Sequence, residues 1–106
     1  MGQFSIACYK PKPGKEAELL EIVKGHLPIL RQEGLATARP AHAMRAADGT
    51  IVEVFEWESL DAIAAAHKNP NVLVMWGRFN DACDIVKLVD LAESKAMFAG
   101  FAPIDF

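Results

Sequence analysis

The chain has 106 residues, 52% of them apolar and 24% charged, with 11 Lys and Arg against 14 Asp and Glu for a formal net charge of −3. That length suits one domain, 1–106, and that mixture of apolar and charged residues excludes intrinsic disorder. A small acidic excess without a basic stripe argues against nucleic acid; no apolar run approaches the about 20 residues of a membrane span, and two cysteines are too few for a disulfide scaffold or a zinc cage.

The opening Met1-Gly2-Gln3-Phe4 has no basic region followed by an apolar stretch, so a cytoplasmic protein with reduced thiols is expected. Residues 3–10 predict a strand with Phe4, Ile6 and Cys8 on one side and Ser5, Ala7 and Tyr9 on the other. Neither side is strongly polar, which suggests cover on both faces. Pro11, Pro13 and Gly14 then break the pattern.

Residues 15–33 predict an amphipathic helix, with Leu20, Val23, Leu27 and Leu30 on one stripe that Leu19 and Ile22 widen. Glu16, Glu18 and Glu21 suit its N-terminal end, and Gly34 is a natural C-cap. Pro28 predicts a kink, or a new turn, near Gly25. His26, beside Leu27 and Pro28, is placed at the surface or boundary.

Residues 39–47 and 50–58 predict a hairpin around Asp48-Gly49, a pair suited to the positive φ angles of a tight turn. In its second strand Ile51, Phe55 and Trp57 share one face, and Val52 and Val54 the other. Ser59 is a good N-cap, with Asp61 in the first turn, for a helix from Leu60 to about His67 that Asn69-Pro70 stops. Residues 71–82 predict a second short helix with Val72, Met75, Trp76 and Phe79 on one face, and 83–91 a last strand.

The segment 92–106 carries Met97, Phe98, Phe101 and Phe106 and is too apolar to be left in solvent. It predicts one short turn and then an extended arm, docked on a partner chain or over a helix. Cys8 ends the first strand and Cys83 begins the last, so the two are expected to be close neighbours with free thiols.

The order β-α-β-β-α-β predicts a ferredoxin-like α+β sandwich with an antiparallel sheet and helices on one face. Strands apolar on both faces need a second cover, and the sheet of a second copy would supply it. A homodimer is therefore expected.

Trp57-Glu58-Ser59 leading into Ala62, Ala66 and His67, then Asn69-Pro70 and a helix, resembles the antibiotic-biosynthesis-monooxygenase-like (ABM) family of dimeric α+β barrels. So do Lys12-Pro13-Gly14-Lys15 before an acidic amphipathic helix and the Asp48-Gly49 hairpin; the resemblance covers about residues 3–91. It implies a dimer in which each subunit holds a pocket between its sheet and its helices. Family members include cofactor-independent oxygenases of polyphenols and quinols, and haem-degrading enzymes. The haem-degrading pattern needs an Asn on the first strand, a Trp and a His; the first strand here has no Asn, and the other two positions fall at Ala66 and near Trp76.

Within that frame His67 is the candidate catalytic base, at the end of a helix near the expected pocket mouth; the alternative is that it caps that helix. Trp76 and Phe79, one turn apart with Met75 beside them, could stack on a flat aromatic ligand or pack in the core, as could Trp57. His42, on a strand with Met44, is a further substrate-binding candidate or a structural residue. No short-spaced metal ligands, Gly-rich phosphate loop or nucleophile elbow occurs, so no metal and no cofactor is expected. The expected function is cofactor-independent monooxygenation of a small aromatic or quinol-type molecule; the alternatives are a non-catalytic dimeric binding or regulatory module and, third, an isomerase or hydrolase of a small carbonyl compound.

Overall fold

The computed structural model describes residues 2–106. In chain order it has β1 (Gln3–Pro11), α1 (Glu16–Gln32), β2 (His42–Arg45), β3 (Ile51–Trp57), α2 (Leu60–Ala66), α3 (Pro70–Ala82), β4 (Cys83–Val86) and β5 (Ala102–Ile104), with two 3-10 turns, Leu88–Asp90 and Ala92–Lys95, before β5. The strands form one antiparallel sheet in the order β4-β1-β3-β2-β5. Its first four strands and the helices make the ferredoxin-like α+β fold.

Parity along the strands decides what each face carries. Tyr9, Ile51, Phe55 and Trp57 face the helices and share one core with Leu19, Val23, Leu30, Ala66, Val72 and Phe79. The opposite, outer face splits into two halves. Cys8, Val52, Met44 and Val86 form one cross-strand row, which the chain's own Leu91 and Phe101 cover. The next two rows toward the start of β1 are open: Ile6 is 51% exposed and Phe4 55%.

Local chemistry places the ends of the elements. Gly49 takes φ 93° in the hairpin turn, where the Asp48 carboxylate accepts from Thr50 N–H at 2.9 Å. Ser59 Oγ accepts from Ala62 N–H at 3.1 Å as the N-cap of α2. Asn69 Oδ1 accepts from Asn71 and Val72 N–H as the N-cap of α3, with Pro70 in its first turn.

Four expectations are corrected. α1 runs unbroken through Pro28, whose ring sits on an exposed flank of the helix. β2 is shorter than 39–47, because Pro40 cannot donate to a ladder. The last strand ends at Val86 rather than 91; the chain then leaves the sheet and turns so that Leu91 lies over the outer face. The C-terminal arm pairs with the edge of its own β2 instead of lying over a helix, and within this chain Met97 and Phe98 stay 93% and 88% exposed.

Cys8 and Cys83 are not neighbours. Cys8 pairs with Val86 and Cys83 with Pro11, so the two lie rows apart and on opposite faces. Both thiols are free and buried. Burial raises the Cys8 thiol, and burial followed by the Asp84 charge pushes Cys83 up to about 11. Thiols so protonated at neutral pH are poor nucleophiles. Neither should react with Ellman's reagent in the native protein and both should after denaturation; a fast native reaction of either would contradict this placement.

Candidate active site

A cavity of about 450 Å³ lies between the helix-facing side of the sheet and the helices. Ser5 and Ala7 on β1 are small, which leaves the space open beside the larger Phe55 and Trp57 of β3. Trp57 Nε1–H donates to Ser5 Oγ at 3.0 Å, fixing that ring as a wall. Trp76 and Phe79 of α3 close another side, and His67 and Asn80 are its polar fringe.

Three buried polar side chains from three elements meet behind the cavity, and two of them, Tyr9 and His26, line it. Tyr9 of β1, Glu53 of β3 and His26 of α1 are 4%, 2% and 3% exposed. Tyr9 O–H donates to Glu53 Oε1 at 2.8 Å, and His26 Nδ1 lies 2.7 Å from the same oxygen. Two partners converging on one oxygen fit a carboxylate acceptor, so we assign Nδ1–H as a second donor. His26 Nε2 is then the ring nitrogen left without a hydrogen-bond partner among the described residues, on a ring that lines the cavity. Burial first, and the Glu53 carboxylate next, hold the Tyr9 hydroxyl well above the ordinary tyrosine value, so it stays a donor.

Packing fixes the orientation of these groups. The His26 ring meets Phe55 and Phe79 edge-on at 5.1 and 5.2 Å, and Tyr9 stacks on Phe79 at 4.7 Å. In the sheet Glu53 pairs with Ala7 on one side and Ala43 on the other, two side chains too small to crowd its carboxylate.

His67 both caps and lines. It is the C-cap of α2, its Nδ1 lies 2.8 Å from the Ile63 carbonyl, and its ring meets Trp76 edge-on at 5.0 Å at the cavity mouth. Trp57, Trp76 and Phe79 also reach the cavity. Met75 does not: one residue before Trp76, it is turned into the core at 1% exposure. His42 does not either, because it shares the parity of Met44 and lies exposed on the outer face. Among the described residues no group of three or more His, Cys, Asp or Glu is placed to hold a metal ion.

The buried cluster is what the sequence reading missed. His26 stands at helical spacing from Ile22 and Leu30, on the apolar stripe, so its burial was legible. Glu53 falls by strict alternation between Ile51 and Phe55, an acid on the most apolar strand face of the chain.

No protein-family model matches the chain, and no curated protein matches it in sequence. Two solved structures share its fold. Rv0793 from Mycobacterium tuberculosis superposes with a TM-score of 0.62 at 18% identity, over 87% of this chain and 99% of that one. An uncharacterized NIPSNAP domain protein from Burkholderia xenovorans gives a TM-score of 0.50 at 24% identity, over 87% and 96%. At these identities the likeness is one of fold.

Proposed function

We propose that this chain is a general-base enzyme for a small phenolic or quinol-type molecule, working as an ABM-like, cofactor-independent monooxygenase. The observation that carries the reading is His26: its ring lines an aromatic-walled cavity while its Nδ1 is held by buried Glu53. Nε2 takes the substrate hydroxyl proton, Glu53 steadies the imidazolium that forms, and Tyr9 holds Glu53 in place. Trp57, Trp76 and Phe79 supply flat apolar walls that exclude water around the resulting electron-rich anion; a ring carbon of it bonds O₂ to give a peroxide, which loses water as the C–H bond at that carbon breaks, so that one oxygen atom stays in a quinone-type product and the substrate itself is the reductant. His67 moves from base to a polar group at the mouth.

Quenching of tryptophan fluorescence by a panel of quinols, with oxygen uptake above their spontaneous oxidation, tests this. Failure of the whole panel to bind would refute the reading. Saturable binding without oxygen uptake would favour the non-catalytic binding module instead.

The same reading includes a homodimer. Its support is the bare half of the outer face, where Phe4 and Ile6 are half exposed beside Val54. Each such side chain contributes about 1.5–3 kcal/mol when fully buried. Light scattering at micromolar concentration should give twice the chain mass, and Ile6→Lys should give a monomer; a monomeric native protein would defeat the claim. No helix is long and apolar enough to cross a membrane among the described residues.

A further inference from the structure

A second cavity, of about 370 Å³, lies on the other side of the buried cluster. Glu53, Ala43, Lys24, Pro28 and the C-terminal residues Ile104–Phe106 are among its walls. The division between the two cavities is sharp: His26 and Tyr9 line the first, whereas Glu53 lines the second. The carboxylate therefore stands in the partition, with Ala7 beside it in the first cavity and Ala43 beside it in the second. Both of its hydrogen bonds fall on Oε1.

The second cavity has the polar surface that ordered water needs. Pro28 has no N–H to give the Lys24 carbonyl, so that helical bond is missing in the cavity wall. Lys24, Arg31 and Asp105 add charged groups around it. The first cavity, by contrast, is to be dry and filled by an aromatic molecule when the base acts.

We propose that Glu53 passes the proton taken by His26 to water in the second cavity, so that substrate and proton use separate openings. This rests on His26 being the base. The substrate O–H bond breaks as its proton joins His26 Nε2. The Nδ1 proton moves to Glu53 Oε1. The carboxyl turns about its Cγ–Cδ bond and gives that proton to a water of the second cavity, leaving carboxylate, H₃O⁺ and a neutral imidazole with its proton on Nε2; when Nε2–H is later given to the peroxide oxygen that leaves as water, Nδ1 regains a proton from the second cavity by the reverse path, which restores the starting tautomer, and nothing is oxidised or reduced in these transfers. The last residues, Asp105 and Phe106, act as the cover of this outlet.

The test needs no substrate, because the His26 Nδ1–H proton exchanges with solvent by the same route and is observed by NMR. Ala43→Leu narrows the second cavity at Glu53, and Ala7→Leu narrows the first. Exchange should slow at least about tenfold in Ala43→Leu and change less than about threefold in Ala7→Leu. A chain ending at Ile104 should exchange faster than the native protein, which keeps the test decisive if a leucine variant does not fold. Slowing by Ala7→Leu with none by Ala43→Leu, or no gain on removing Asp105 and Phe106, would overturn the proposal. Loss of quinol binding would refute the proposed function without altering these exchange rates, so the two failures are separable.

Discussion

His26→Ala is expected to lower quinol-dependent oxygen uptake by about 10²–10⁴-fold, the usual contribution of a positioned general base. The same change at His67 should cost less than about tenfold, because that ring stands exposed at the mouth with one nitrogen tied to the Ile63 carbonyl. The contrast follows from environment. His26 has its proton-bearing nitrogen fixed by a buried carboxylate, its ring clamped by Phe55 and Phe79, and its other nitrogen free to accept. Quinol binding, read by fluorescence, should survive in His26→Ala, since the aromatic walls remain. Unchanged uptake in His26→Ala, or abolition of uptake in His67→Ala alone, would return the role of base to His67.

Glu53→Ala should produce the largest loss of stability of any single substitution in the cluster. It strips the acceptor from both Tyr9 O–H and His26 Nδ1–H, two buried donors. Each unsatisfied buried donor costs about 1–3 kcal/mol, so the two together cost about 2–6 kcal/mol. For a domain of this size that corresponds to a fall in Tm on the order of 15–30 °C by calorimetry. Glu53→Gln, which keeps one accepting oxygen in place, should recover part of the loss. A fall below about 3 °C for Glu53→Ala would mean that the cluster contributes little to the fold.

Much of the fold was legible because local chemistry and periodicity agreed. Strict alternation from Ile51 to Trp57, the Asp48-Gly49 turn, the Ser59 cap and the Asn69-Pro70 break each sit where the pattern put them. Strand ends were less legible, since they depend on neighbours: β4 stops at Val86 because Leu91 is drawn over Cys8 and Val52. The expected pairing of Cys8 with Cys83 failed on register, which no single strand carries; a shift of three residues put the two thiols on opposite faces.

The site was half legible. Its walls, Trp57, Trp76 and Phe79, come from recognisable apolar stripes. Its polar centre does not, because Tyr9, His26 and Glu53 lie on three elements and only the docking of α1 on β1 and β3 brings them within hydrogen-bonding distance. His26 was read from its immediate neighbours Leu27 and Pro28 rather than from the residues one turn away, with which a helix shares a face.

β1 precedes the other described strands yet lies inside the sheet, between β3 and β4. Among the described strands only β2 and β3 are both consecutive and paired, so theirs is the one ladder a local turn can nucleate, on a timescale of about 1–10 μs. Every other ladder joins segments far apart in the chain, which places folding of such a sheet in the slower range of roughly milliseconds to seconds. During synthesis β1 emerges before β3 and β4 and must wait, unpaired, for both of them. The Tyr9–Glu53–His26 cluster draws on β1, β3 and α1, so it cannot form with the β2–β3 hairpin alone and waits for the long-range β1–β3 ladder to close.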